Sequence, residues 1–141
     1  MTIKSRVTLK SYLETDDMPT QAQFIDLVDS SPNISDDGII LGGDSAVTAF
    51  NGGGQANATL LVNQFNTVSV CVAPADSIKL PVCKAGNMFA VVNATANSCN
   101  IYPAAGQQIM ALGVDAPQAI AAGEVFIFGS NGVGWAGGKL S

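Results

Sequence analysis

The sequence predicts a mainly β protein, an antiparallel β-sandwich or a jelly-roll-like barrel with a short helical N-terminal arm. Two observations predict this fold class. Helical spacing of apolar residues is confined to the first 36 residues, and beyond them short apolar runs recur at about the 8–12-residue spacing of sandwich or barrel strands, with turn-forming residues between them. We therefore divide the 141 residues into an acidic helical arm, 1–36, and a β-sandwich body, 37–141.

Two segments of the arm repeat the i, i+3, i+4 spacing of a single helix face. Thr20 followed by Gln23 is a capping-box pattern and predicts where the second helix begins. Helices of two to three turns are unstable alone in water, so their apolar faces must be covered. Two coverings remain open, the β body of the same chain and a partner subunit. The predicted partner-binding residues of the arm are Leu9, Tyr12, Leu13, Phe24, Leu27 and Val28.

The body contains ten short segments with the pattern of strands, separated by turn residues such as glycine and asparagine. Ser130-Asn131-Gly132, between two apolar segments, predicts a hairpin. The predicted strands are 39–41, 46–50, 58–62, 67–72, 77–82, 88–95, 99–102, 108–112, 125–129 and 132–136.

The predicted strands differ in the character of their two faces. In 67–72, Val68, Val70 and Val72 alternate with small or polar residues, which predicts one buried face and one wet face. In 88–92 and 125–128 both alternating sets are apolar. Strands covered on both faces are unusual in a small antiparallel sandwich. We therefore expect the arm or another subunit to cover the second face of these two strands.

Charge is concentrated in the N-terminal third of the chain. Residues 1–44 hold three cations and eight anions, which is the whole net charge of −5, whereas residues 45–141 hold three of each. Free monomers keep about 25–35% of their surface charged, so such a body has either a surface of uncharged polar residues and glycine or extensive burial against other subunits. Three scattered lysines cannot neutralise a run of phosphates, so nucleic acid is not an expected partner. A membrane is not expected either, because the sequence lacks a long apolar run and a signal-peptide pattern.

The residue types needed for most catalytic chemistry are missing from this sequence. There is no histidine, which removes the commonest general base and the usual nucleophile pairs and zinc sites. Cys71, Cys83 and Cys99 follow no metal-binding spacing and are predicted to be buried apolar residues. We expect no enzyme activity, no catalytic residue, no cofactor and no metal. Trp135 is predicted to fill the core or to anchor an interface.

Two stretches of the chain resemble parts of bacteriophage structural proteins. The segment 9–30, LKSYLETDDMPTQAQFIDLVDS, resembles an N-terminal module of such proteins. The body is similar to a β domain that recurs in phage particles. The residues that carry this second resemblance are Ile78 to Leu80, Ala85-Gly86-Asn87, Val91-Val92-Asn93, Asn100 to Ala104, Ala121-Ala122-Gly123 and Trp135.

This resemblance implies a virion protein, made in the host cytoplasm and located on the phage particle. The expected function is that of a capsid decoration, or cement, protein on the outer surface of the head. It would act as a homotrimer that binds the major capsid protein and bridges shell subunits, since a closed trimer matches a three-fold position. The alternative is a small tail fibre, baseplate or host-recognition knob protein.

Overall fold

The computed structural model describes residues 20–30 and 42–140. The helix and the β body belong to two separate units of the chain, divided between residues 39 and 40, and each is described here by itself. Three predicted features lie outside the described residues. They are the strand 39–41, the domain boundary at residue 36 and the helix with Leu9, Tyr12 and Leu13.

Helix α1 spans Gln21–Ser30 and begins at the predicted capping box. The backbone N–H of Gln23 donates to Thr20 Oγ1 at 3.3 Å, and the backbone N–H of Thr20 donates to Gln23 Oε1 at 2.8 Å. These reciprocal hydrogen bonds satisfy two N–H groups that the first helical turn cannot pair internally. The predicted start of this helix is therefore confirmed.

Nine strands make up the described part of the body, and they form two sheets. The five-stranded sheet, called sheet A, has the order β1-β3-β5-β8-β9, and the four-stranded sheet, called sheet B, has the order β2-β4-β6-β7. The strands are β1 (Gly43–Thr48), β2 (Thr59–Leu60), β3 (Phe65–Val70), β4 (Asp76–Lys79), β5 (Met88–Asn93), β6 (Cys99–Tyr102), β7 (Gln118–Ile120), β8 (Val125–Ser130) and β9 (Trp135–Leu140).

The first six strands alternate between the two sheets and pair in parallel. Gly43 pairs with Phe65 and Phe65 with Ala90, while Thr59 pairs with Ile78. The four parallel pairings, including Asp76 with Cys99, therefore advance the chain by 22, 25, 19 and 23 residues, one turn around the two sheets. Three such turns, called coils here, stack as in a short β-solenoid, in which each repeat contacts its neighbours. The prediction of a mainly β protein is confirmed, whereas the antiparallel sandwich is not, because the sheets are mixed, and the sheets do not close into the predicted barrel.

The last three strands add antiparallel pairs to the third coil. Strand β7 pairs with β6, β8 pairs with β5, and β9 pairs with β8. The predicted hairpin is confirmed between β8 and β9, where Asn131 Oδ1 accepts hydrogen bonds from the N–H groups of Val133 and Gly134 at 2.9 and 3.1 Å. The described strands are therefore mostly parallel at the start of the body and antiparallel at its end.

One apolar core lies between the two sheets. Trp135 is 2% exposed and meets Phe89 edge-on, with ring centroids 5.5 Å apart and an interplanar angle of 89°. Trp135 therefore fills the core and does not anchor an interface. The three cysteines are buried and free, which confirms the prediction that they serve as small apolar residues.

Two buried polar side chains join segments of the body, Asp76 between two coils and Asn93 within the third. Asp76 accepts hydrogen bonds from the N–H groups of Ala73 and Val72, which precede it in the second coil, and from Gly52 in the first. Asn93 is fully buried and its amide donates to the carbonyl oxygens of Asn97 and Ile120, joining β5 to the turn before β6 and to the end of β7. Each side chain thus supplies hydrogen-bond partners for backbone N–H or carbonyl groups outside the strand ladders or at their ends.

Three details of the strands differ from the prediction. The phase of β3 changes at Ser69, where the register against β1 shifts by one residue, so Val68 and Cys71 face the core and Val70 and Val72 are exposed. Such a bulge reverses which alternating set points inward. The predicted strand 108–112 forms only isolated bridges, and the short strand β7 was not predicted.

Candidate interaction surfaces

The outer face of sheet A is apolar across four adjacent strands. Alternate residues of a strand point to one side, and residues paired across strands share that side. The pairing of β3, β5, β8 and β9 therefore defines one set of outward residues, called the apolar face. Its members are Phe65, Thr67, Met88, Ala90, Val92, Val125, Ile127, Gly129, Ala136, Gly138 and Leu140.

The apolar face is organised in three rows that run across the strands. Phe65, Ala90, Ile127 and Gly138 form the middle row. A second row contains Thr67, Val92, Val125 and Leu140, and a third contains Met88, Gly129 and Ala136. Ten of the eleven members are apolar or glycine, and none carries a charge.

The largest side chains of the apolar face remain exposed to solvent. Phe65 is 61% exposed, Met88 51% and Leu140 54%. Phe65 and Met88 border a small depression of about 130 Å³, whose other walls are mainly Ala90 and Ile127. A contiguous exposed apolar patch on a folded protein is typical of an interaction site.

Among the described residues, charged side chains lie beside the apolar face and not within it. Lys139 Nζ lies 2.6 Å from Glu124 Oε1, and Glu124 Oε2 accepts a hydrogen bond from the N–H of Ala121. The hydrogen bond from Lys139 lowers the pKa of Glu124, and the bond from Ala121 adds to this effect. The pair therefore neutralises its own charge, whereas Asp44 of β1 lines a depression beside Phe65 and Thr67 and places a carboxylate next to the face.

The outer face of sheet B has a different character. Its paired positions include Leu60, Lys79 and Tyr102, with Asn100 on the adjacent row. Lys79 Nζ donates to the carbonyl oxygen of Gln55 at 3.2 Å. The two outer faces of the body are thus distinct, because one carries polar and charged groups and the other is apolar.

The N-terminal end of the coil stack also has an apolar opening. A cavity of about 610 Å³ lies between the first-coil strands and is lined by Val47, Ala49, Phe50 and Leu61 among others. Asn66 contributes to its wall, and Asn66 Oδ1 is buried without a hydrogen-bond partner among the described residues. The outer edges of β1 and β2 pair with no other described strand.

Helix α1 presents a second exposed apolar surface. Phe24 is 60% exposed and Val28 58%, while Leu27 is partly buried. Ile25 is also exposed, although the i, i+3, i+4 pattern did not include it. Three predicted arm residues therefore lie on one described helix. The other three, Leu9, Tyr12 and Leu13, lie outside the described residues, and the binding role of all six stays a prediction.

Two buried titratable groups of the body, Asp76 and Cys99, have pKa values shifted by their surroundings. The hydrogen bond from Ala73, with those from Val72 and Gly52, lowers the pKa of Asp76. Burial raises the pKa of the Cys99 thiol to about 12, with smaller contributions from the nearby Cys71 and Asp76. Within residues 20–30 and 42–140, no three histidine, cysteine or acidic side chains cluster as metal ligands would.

Comparison of the chain with protein-family models, with curated proteins and with solved structures found no match. In the described ranges, no helix has the length and hydropathy needed to cross a membrane. The candidate surfaces therefore rest on the geometry and chemistry given above.

The sequence alone indicated one part of the apolar face. Both alternating sets of 88–92 and 125–128 are apolar, and the structure makes β5 and β8 neighbours, so their outward residues merge into one surface. Phe65 and the small residues Ala136 and Gly138 gave no such signal, because their membership depends on which strands lie next to each other.

Proposed function

We propose that this protein is a bacteriophage capsid decoration protein that binds the outside of the head shell as a homotrimer. The apolar face is the observation that carries this proposal. A protein that exposes four strands of uncharged apolar side chains, and an apolar stripe on its helix, is suited to being covered by other subunits. The resemblance of residues 9–30 and of the β body to phage structural proteins supports the part of the proposal that places the protein on a phage particle.

The proposed mechanism is mechanical and requires no catalytic residue and no cofactor. Each copy contacts neighbouring subunits of the major capsid protein and adds buried surface at their junction. Burial of apolar area contributes about 25 cal/mol per Å², so every bridge raises the free energy needed to separate two shell subunits. The shell then resists the pressure of the packaged DNA better than an undecorated shell does.

Within this proposal the helix binds the shell and the β body joins the copies. Phe24, Ile25 and Val28 supply an apolar stripe of the kind that docks in a groove of a partner. Arm and body thus have separate surfaces for separate partners. The net charge of −5 lies within residues 1–44, which favours a basic or neutral docking region on the shell.

The experiment mixes purified full-length protein with phage particles that lack it and locates bound protein by electron cryomicroscopy. Regular density around the head supports the proposal. Density at the tail, or binding to host cells, would instead support the fibre or knob function, and no binding to either would refute both.

A matched pair of helix variants sharpens this experiment. Phe24→Ser with Val28→Ser removes most of the exposed apolar stripe, whereas Ala22→Ser changes an exposed position outside the predicted set of binding residues. We expect the double variant to lose head binding and the control to retain it. Equal binding by both proteins would mean that the helix does not hold the shell.

A further inference from the structure

We infer that the cavity at the N-terminal end of the coil stack is a binding site for an uncharged, mainly apolar ring compound that carries one N–H or O–H donor. This inference goes beyond the proposed function and does not rest on it. Three observations carry it: an unpaired hydrogen-bond acceptor in the cavity wall, the chemistry and volume of the cavity, and the bonded state of the strand edge beside it.

The unpaired acceptor belongs to Asn66 of β3. Asn66 is 3% exposed and forms part of the cavity wall. Its Nδ2 donates to the carbonyl oxygen of Asn63 at 2.7 Å, which fixes the orientation of the side-chain amide, because the reversed amide would place two oxygens against each other. Asn66 Oδ1 is therefore the atom left without a donor among the described residues. Nearly all buried polar atoms of native proteins are paired, so we expect a molecule in the cavity to supply this donor.

The other walls of the cavity are mainly apolar. The side chains that supply this apolar surface are Val47, Ala49, Phe50, Leu60, Leu61 and Val62. A buried water needs about two to four polar partners, and these side chains offer it none. An apolar molecule that donates one hydrogen bond to Asn66 suits the walls better, because it buries its own apolar surface at the same time.

The charges at the cavity disfavour an ionic ligand. Among the described residues that line it, Asp44 is the one with a charge, and there is no lysine or arginine. A phosphate or carboxylate group would therefore find no counter-charge and would meet a carboxylate in the same wall. A cation that donated to Asn66 would also lack a counter-charge there, because a side-chain amide is neutral. The expected donor is therefore a neutral hydroxyl or N–H group.

The volume of the cavity indicates the size of the ligand. A volume of about 610 Å³ lies within the roughly 300–1,000 Å³ of small-molecule sites. A dry apolar cavity of about 150 Å³ is enough to bind one benzene molecule. The cavity of this protein therefore accommodates two fused rings.

The edge of β1 beside the cavity argues against an added strand as the occupant. The N–H of Ala49 donates to β3, so the backbone groups of the alternate residues Thr48 and Ala46 face the open edge. The N–H of Ala46 already donates to Asp44 Oδ1 at 2.9 Å. The carbonyl oxygen of Thr48 accepts a hydrogen bond from Thr59 Oγ1 at 2.7 Å. A pairing strand would have to displace both bonds, whereas a small molecule needs neither group.

The test uses the full chain and three probes with two fused rings. Indole carries one N–H donor, 1-methylindole has a methyl group in place of that hydrogen, and indole-3-acetate carries a negative charge. Each probe is titrated into isotope-labelled protein, and NMR signals locate and quantify its binding. We expect indole to shift the amide signals of residues 44–51 and 59–62 and the side-chain amide of Asn66.

The affinities of the probes should follow their chemistry. Indole should bind about 10-fold more tightly than 1-methylindole, because only indole can donate to Asn66 Oδ1. Indole-3-acetate should bind more weakly than indole, because its carboxylate finds no counter-charge. Three results would overturn the inference: no shift at these residues up to the solubility limit of indole, equal affinity for indole and 1-methylindole, or tighter binding of indole-3-acetate.

Asn66→Leu tests the acceptor directly. Leucine has nearly the shape of asparagine but accepts no hydrogen bond, so this variant should bind indole and 1-methylindole about equally. A folded Asn66→Leu protein that keeps the preference for indole would show that the donor goes elsewhere and would overturn the inference. If this variant does not fold, the comparison of indole with 1-methylindole on the wild type decides the same point.

A matched pair of bulky substitutions tests the location of the site. Ala46→Phe fills part of the cavity from an exposed position in its wall, whereas Ala119→Phe places the same side chain at an exposed position of β7. We expect Ala46→Phe to lose most of its affinity for indole and Ala119→Phe to bind as the wild type does. The signal of the buried Trp135 reports folding, and Val62→Phe, at a wall position that is 63% exposed, replaces Ala46→Phe if that variant unfolds. Unchanged binding by a folded wall variant would overturn the inference.

The two proposals fail separately. A protein that binds indole in this cavity but binds no phage particle would retain the ligand site and refute the decoration function. A protein that decorates heads but shows no probe binding would retain the decoration function and refute the ligand site.

Discussion

Adjacent glycines on β9 allow a sharp test of how closely β9 approaches its neighbour β8. A Cβ at Gly137 would overlap the carbonyl oxygen of Ile127 and would lie 2.9 Å from Phe128 Cδ1 and 3.0 Å from Phe128 Cα. These obstacles are backbone and a fully buried ring, so neither can yield cheaply. A Cβ at Gly138 would meet nothing within 4 Å. Gly137→Ala and Gly138→Ala therefore add the same methyl group to opposite sides of one strand.

The expected effects differ in sign. Overpacking a core lowers the free energy of unfolding by about 1–3 kcal/mol. We expect Gly137→Ala to lie near the upper end of this range, because the backbone atoms that its Cβ would meet cannot move easily. Replacing glycine by alanine at an unstrained position stabilises by about 0.4–1 kcal/mol through the unfolded chain, and this gain applies to both variants. Gly137→Ala should therefore lose about 2 kcal/mol of unfolding free energy, while Gly138→Ala should be neutral or slightly stabilised.

Urea denaturation followed by Trp135 fluorescence measures this difference. In a thermal melt, the same gap of about 2–3 kcal/mol corresponds to about 8–24 °C in melting temperature for a domain of this size. Both variants are compared at one protein concentration, because self-association adds stability that depends on concentration. If Gly137→Ala proved as stable as Gly138→Ala, the close approach of β9 to β8 would be wrong.

Three further predictions concern the buried polar and thiol groups. Asn93→Ala should lower the free energy of unfolding by about 2–4 kcal/mol, because several buried backbone carbonyls lose their hydrogen-bond donor. The control Asn100→Ala, on the outer face of sheet B, should change it by no more than about 0.5 kcal/mol. Denaturant midpoints measure both changes. Asp76 has a lowered folded pKa, so its stabilisation is present above its ordinary value of 3.8 and is lost as the pH falls below it. The difference in melting temperature between wild type and Asp76→Asn should therefore become smaller as the pH falls below 3.8. A difference that became larger at low pH would contradict this prediction. A thiol reagent should label Cys99 only after denaturation, because burial raises the pKa of this thiol to about 12, and rapid labelling of the native protein would exclude that burial.

Several of the residues on which the expected resemblance to a phage β domain was based are buried in this structure. Ile78, Leu80 and Val91 are buried in the core, and Asn93 and Trp135 are buried as well. The specific partner must therefore be identified from exposed surfaces such as the apolar face and helix α1.

Local patterns in the sequence sufficed for features that depend on neighbouring residues. The start of α1 followed from the Thr20 and Gln23 side chains, which bond each other's backbone within one turn. The β8–β9 hairpin followed from its turn residues, and most strands fell close to their predicted positions. The burial of the three cysteines and the absence of histidine likewise needed no knowledge of the fold.

Only the tertiary structure decided how the strands pair. A two-residue alternation is the same in parallel and antiparallel strands, so it could not reveal that successive strands alternate between two sheets. The bulge at Ser69 reversed the inward set of β3 without any sequence signal. The apolar face exists because Phe65, Met88, Ile127 and Gly138, distant in the chain, are brought side by side by those pairings. Sequence determined which segments would be strands and which residues prefer burial, whereas long-range pairing determined which of the apolar residues remained outside.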